Sequence, residues 1–408
     1  MECDITMSLL FTATCRRVTK RCRATALQIY GALLVNLHKS NNGLVMIKES
    51  TDKIKFFGAA LDALDAPEKV QLKIAYLNSR FPENAKHNHG SGQDFCDPYD
   101  ALTFQLSDIF KSEKFTMAGR LPVESWLRPK PERTDLHLIA AQNFTRFIDG
   151  NGCRQHTNRL EEYIKESIFP DKPAMLGVDH SLTGGVIRAL STRYGSNLSL
   201  IVIDSHFDAI PAEIRHPAAL RHAPCIMQRG AETAPCTCGD FLKCLIDEKF
   251  IEPQNLFVIG VSDYPDREKL DMNDENIKRY AEYYLDFEER GVKFIKKIEI
   301  EVENNFPANL DKFLNQIKTD NIYVSFDADI GAHRGIYAVR FLDRIGIEED
   351  VILKIGRSIG TRRQFALAGF DVMEIDVHLL GLELPDGSRD RTSEICSGFI
   401  RNLLNINL

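Results

Sequence analysis

Short apolar runs alternate with stretches of helical length from Lys172 to the end of the chain, and this alternation constrains the fold more than any other feature. Residues 174–178, 200–204, 255–261, 292–296, 322–326 and 370–375 read as strands. The run at 200–203 is continuously apolar rather than alternating, as strands buried on both faces are. Residues 182–194, 241–249, 275–290, 310–317, 348–362 and 392–404 read as helices. Connections of that length imply right-handed crossovers, hence an α/β fold with a parallel sheet covered on both faces. Ligands of such sheets collect beyond the carboxyl ends of the strands.

Upstream, residues 54–58 read as the first strand and Pro67 opens a helix over 67–80. Residues 84–93 form a loop whose His87 and His89 are read as solvated. Helices are expected over 99–110, 135–148 and 157–168, with an extended connector at 127–133 that carries Pro129 and Pro131. Residues 1–50 differ from the rest. Arg16, Arg17, Lys20, Arg21 and Arg23 precede an apolar stretch at 27–37, compatible with a targeting helix, a partner-binding helix or an unstructured extension. The domain reading is an N-terminal extension over 1–50 and a single α/β domain over 51–408.

The polar residues at the predicted strand ends carry the chemistry. Leu200-Ile201-Val202-Ile203 runs into Asp204, Ser205, His206, Phe207 and Asp208. In extended chain, Asp204, His206 and Asp208 point the same way. Asp179-His180-Ser181 follows the strand at 174–178, Asp327 and Asp329 follow that at 322–326, and Glu374 and Asp376 close the last. Each group alone reads equally well as a loop cap. Together, Asp204, Asp208, Asp327 and Asp329 with His180 and His206 place four carboxylates and two imidazoles on one rim. Such a cluster is costly to bury without cations. Two divalent ions about 3.5–4 Å apart would neutralise it. The oxygen-rich donor set favours manganese or magnesium over structural zinc.

These segments resemble the arginase–agmatinase (ureohydrolase) family, whose motifs have the forms GGDHS, DAHxD and SxDxDxxDP. Here they stand as Gly177-Val178-Asp179-His180-Ser181, Asp204-Ser205-His206-Phe207-Asp208 and Ser325-Phe326-Asp327-Ala328-Asp329. The resemblance runs from about Lys53 to the C-terminus and implies a three-layer α/β/α sandwich around a mostly parallel sheet. It implies that His180, Asp204, Asp208 and Asp327 hold one Mn²⁺, and His206, Asp204, Asp327 and Asp329 a second. Mg²⁺ or another divalent ion is the alternative. It further implies hydrolysis of a linear C–N bond of a guanidino compound by a metal-activated hydroxide, releasing urea and an amine. Asp208 would shuttle the proton, His222 would assist, and Glu374 would pair with the substrate guanidinium. A homo-oligomer, trimer or hexamer, is implied as well. Hydrolysis of a formimino compound or other amidine on the same metals, and a non-catalytic assembly role, are the alternatives.

The chain departs from the family pattern in places. Val178 replaces a glycine, Ser205 replaces an alanine, and Ile330-Gly331-Ala332-His333-Arg334-Gly335 stands where Asp-Pro is usual. The loop after Asp208 carries His216 and His222 but no clamp for an α-amino acid, so the substrate need not be L-arginine.

Composition excludes several partners. A net charge of -7 over 408 residues argues against nonspecific nucleic-acid binding. No apolar run reaches the roughly 18 residues of a membrane helix. Ten cysteines without a secreted-domain rhythm suggest reduced thiols and a cytoplasmic location. Cys225, Cys236, Cys238 and Cys244 lack the paired spacing of zinc knuckles, and zinc or a Cys236/Cys238 redox pair is kept as an alternative.

Overall fold

A computed structural model describes residues 53–63, 67–79, 94–211, 213–214, 236–265, 273–302, 306–342 and 345–406. The extension at 1–50, the loop at 84–93 with its two histidines, and His216, His222 and Cys225 lie outside the described residues.

Eight strands are described: β1 (Ile54–Ala59), β2 (Phe115–Arg120), β3 (Lys172–Gly177), β4 (Leu198–Ile203), β5 (Leu256–Val261), β6 (Lys293–Lys296), β7 (Asn321–Asp327) and β8 (Ala366–Met373). They form one sheet in the order β2-β1-β3-β8-β7-β4-β5-β6. Every pairing is parallel. Every residue of β4 and of β5 is buried, which is what their uninterrupted apolar sequence requires.

The pleat divides the core in two. Leu200, Val202 and Met175 face one cluster; Ile201, Ile203 and Leu176 face the other. The first cluster is covered by α4 (Gly152–Tyr163), α5 (Thr183–Tyr194), α6 (Phe241–Asp247) and α7 (Glu275–Glu289), through Leu160, Val186, Phe241 and Tyr284. The second is covered by α2 (Pro98–Gln105), α9 (Phe306–Leu314), α10 (Glu349–Gly360) and α11 (Thr392–Leu403), through Leu102, Phe313, Ile355 and Phe399. The expected α/β/α sandwich is therefore present, with helices on both faces of the sheet.

The remaining helices are α1 (Pro67–Ser79), α3 (Ala141–Asp149) and α8 (Lys297–Val302). Four local readings need correction. The helix expected at 135–148 is broken: a 3₁₀ stretch, Arg133–Leu138, precedes α3, and Ala140 between them is extended at φ -146°, ψ 142°. The helix expected at 157–168 starts earlier, as α4, and ends in a π turn at Ile164–Ile168. The helix expected at 310–317 is α9. β2 and α8 carried no apolar run and were not expected; β2 is a half-exposed edge strand.

The thiol reading also changes. Cys236 and Cys244 are joined in a disulfide, eight residues apart, so neither is a reduced thiol and Cys236 is not paired with Cys238. Among the described residues, no helix is long and apolar enough to cross a membrane.

Candidate metal centre

Strands β3, β8, β7 and β4 are neighbours, and their carboxyl ends meet at one rim. Each ends in, or is followed within three residues by, an aspartate that bends the chain. Asp179 Oδ1 accepts from the Ser181 N–H at 3.1 Å, and Asp204 Oδ1 from the His206 N–H at 2.7 Å. Asp327 Oδ1 accepts from the Asp329 N–H at 2.9 Å, and Asp376 Oδ1 from the His378 N–H at 3.0 Å. Short polar side chains that bond two residues ahead favour such turns. One oxygen of each carboxylate fixes the backbone and the other is left for different work.

For Asp204 and Asp327 that second oxygen turns toward His180, which is wholly buried. His180 Nδ1 lies 3.3 Å from Asp204 Oδ2, 3.1 Å from Asp208 Oδ2 and 3.0 Å from Asp327 Oδ2. His206 Nδ1 lies 2.8 Å from Asp329 Oδ2 and 3.7 Å from Asp204 Oδ1. His180, Asp204, Asp208 and Asp327 offer donor atoms within 4.8 Å of one another, as do Asp204, His206 and Asp329. The six residues singled out at the strand ends are thus brought together, with Asp204 common to both groups. Asp327 belongs to the first group only.

The donor set fits divalent cations. His180 Nδ1, Asp204 Oδ2 and Asp329 Oδ2 are buried and have no hydrogen-bond partner. Orphaned polar atoms in a native interior call for an ion or other partner. The imidazole is oriented for one. His180 Nε2 is 2.8 Å from Ser325 Oγ, and the Ser325 hydroxyl donates onward to Asp371 Oδ1 at 2.7 Å. The serine therefore accepts the Nε2 proton, which leaves the Nδ1 lone pair facing the carboxylates. Thr183 and Tyr323 each donate to Asp371 Oδ2 at 2.8 Å and hold it still. The Phe241 ring packs against the His180 ring at 4.8 Å.

Among the protein groups themselves, crowding of like charge shifts the proton equilibria. Burial, then the Asp204 charge, pushes Asp208 up to about 6. Burial, then Asp329 and Asp204, raises Asp327 well above the usual carboxylate range. Burial would lower His180, but the close carboxylates of Asp204, Asp208 and Asp327 raise it well above its ordinary value. Burial would raise Asp204 too, yet His180 and His206 hold it at about 2. Divalent cations would relieve the same charge without protons.

Glu374 stands beside this centre. Its Oε1 accepts the His180 N–H at 2.9 Å, and its carboxylate meets the guanidinium of Arg340. Burial pushes Cys238 well above the ordinary thiol range, followed by the charges of Asp179 and Glu374. His222 lies outside the described residues. Sequence reasoning missed Ser325 and Asp371 as supports of His180, and it missed Arg340. Asp371 left a signal: a lone carboxylate inside the apolar run Gly369-Phe370-Asp371-Val372.

Fold and site together define a class: parallel α/β sandwiches whose central strand ends gather imidazoles and carboxylates for paired divalent cations. Within that class the chain belongs to the arginase family, which matches residues 102–380. An arginase of Staphylococcus aureus (strain MRSA252) is 27% identical over 219 residues, 50% of this chain. The match spans 65% of that protein's length. The structure of arginase from Bacillus caldovelox superposes with a TM-score of 0.52 at 14% identity, over 88% of this chain and 100% of that one. A formiminoglutamase variant from Trypanosoma cruzi gives 0.51 at 12% identity, over 88% and 94%. At these identities the structures show a shared fold.

Proposed function

We propose that the chain is a hydrolase that uses two divalent cations, manganese foremost, to cleave a linear C–N bond of an amidine or guanidine. The convergence of six donor side chains, with three orphaned buried donor atoms among them, carries this reading. The named activities of the relatives, arginase and formiminoglutamase, support it, as does the Mn²⁺ in the latter's structure. His180, Asp208 and Asp327 would hold one cation, His206 and Asp329 the other, with Asp204 shared. Bound cations would supply Lewis acidity and lower the pKa of a water toward neutrality. Asp208 would take the proton of the attacking water and hand it to the departing nitrogen. Water then adds to the amidine carbon, the C–N bond breaks, and the amine leaves protonated. We place the protein in the cytoplasm as a homo-oligomer, trimer or hexamer, with a small-molecule substrate.

The test is metal analysis of the purified protein with a screen for urea, ammonia and formamide release. Two bound divalent ions and turnover of any amidine or guanidine are expected. An Asp327→Ala protein that keeps its full metal content would count against the ligand assignment. Release of nothing across the screen by metal-loaded protein would sink the activity.

A further inference from the structure

Glu374 is the carboxylate best placed to grip a cationic nitrogen at the centre, being one hydrogen bond from the His180 backbone. Its φ of 64° puts a non-glycine residue in the left-handed region, which persists only where the surroundings over-determine it. Yet that carboxylate already faces a guanidinium. Arg340 Nη1 lies 3.0 Å from Glu374 Oε1 and 3.4 Å from Oε2. The same nitrogen is 3.3 Å from Asp179 Oδ2, and Arg340 Nε is 3.4 Å from Asp62 Oδ1. Arg340 is 5% exposed. Its segment is stapled in place. The Arg340 N–H donates to the Glu374 carbonyl and the Asp376 N–H to the Ala338 carbonyl, both at 2.9 Å. Val339 bridges Ile375 in antiparallel register. Backbone bonds at Ala338 and at Arg340 itself thus hold the residue against the chain that follows β8. An incoming guanidinium on Glu374 would take from the buried Arg340 its nearest carboxylate and leave it only the longer contacts to Asp179 and Asp62, which is unfavourable.

We propose that Arg340 is the specificity-determining residue of this site: a resident guanidinium that fills the Glu374–Asp179 carboxylate pair, so that the protein does not hold its substrate through a guanidinium on Glu374. The inference rests on the hydrolase reading above and narrows its substrate class. Cutting the side chain back in Arg340→Ala leaves the carboxylates of Glu374, Asp179 and Asp62 facing a space of guanidinium shape and opposite charge. Methylguanidine is then the probe, with methylammonium as the charge-matched control, both titrated calorimetrically into the full chain. The wild type is expected to take up neither at millimolar concentration. Arg340→Ala is expected to bind methylguanidine at least tenfold more tightly than the wild type, and a further Glu374→Gln change is expected to abolish the gain. Wild-type binding as tight as the variant's overturns the proposal, as does a folded Arg340→Ala that gains none. Should Arg340→Ala fail to fold alone, it is refolded in methylguanidine. Recovery of the native circular dichroism there, and not in methylammonium, supports the proposal; no recovery overturns it. Binding is read without turnover, so a wild type that holds no cations would defeat the hydrolase reading and leave this result standing by itself.

Discussion

Four aspartates at four strand ends share one habit. Asp179, Asp204, Asp327 and Asp376 each bond a backbone N–H two residues ahead with Oδ1. Asp204 and Asp327 then aim Oδ2 at His180. Asp179 aims it at Arg340 and Asp376 at Lys69. One residue type therefore serves both the cation centre and its flanking ion pairs, and the neighbour that meets Oδ2 decides between the two. His180 depends on a longer chain of support, through Ser325 to Asp371. An Asp371→Asn protein should fold but lose about 10- to 100-fold in divalent affinity, the usual effect of disturbing the partner that orients a histidine ligand. Titration of Mn²⁺ into wild type and variant, each checked by circular dichroism, measures this. Equal affinities would show that the Ser325–Asp371 relay does not orient the imidazole.

At the scale of elements, the short helix α6 does more than cover the sheet. Its Leu242 N–H donates to the Asp208 carbonyl at 3.0 Å, and its Phe241 ring rests on His180. The Cys236–Cys244 disulfide ties the segment before the helix to the helix itself. Closing a loop of this size restricts the unfolded chain by about 2–3 kcal/mol in the chain-entropy view. Cys244→Ser should therefore lower stability by that order in urea unfolding, and should weaken divalent binding because Asp208 and His180 lose a firm neighbour. A variant with unchanged cation affinity would separate the helix from the centre. At the far edge of the sheet, β2 contributes nothing to the site, and its half-exposed Phe-Thr-Met-Ala-Gly-Arg sequence gave no periodic signal.

At the scale of the whole molecule, the legible parts are those whose environment is uniform. The strands at the sheet centre are buried on both faces, so their sequence is plainly apolar and their ends stand out where carboxylates begin. All six candidate ligands were visible on that basis. Ser325, Asp371 and Arg340 were not, because their roles exist only once β8 lies between β3 and β7. An arginine in a loop reads as solvated until the fold buries it. Gly260 shows the same dependence. Its φ of +106° and the approach of Asp204 O to 3.1 Å of a would-be Cβ leave no place there for a side chain. Removing cations should loosen the whole domain, since a ligand at a hundred times its dissociation constant stabilises by about 2.7 kcal/mol. Thermal unfolding with and without chelator should show a lower midpoint for the stripped protein, restored by Mn²⁺; identical midpoints would mean that no cation is held. The strand order carries one more consequence, for synthesis. β3 and β4 leave the ribosome early, yet they pair with β8 and β7, the last strands to emerge. Until residue 373 is made, the nascent polypeptide holds two half-sheets with bare inner edges, the kind of late, long-range closure that invites mispairing and chaperone capture.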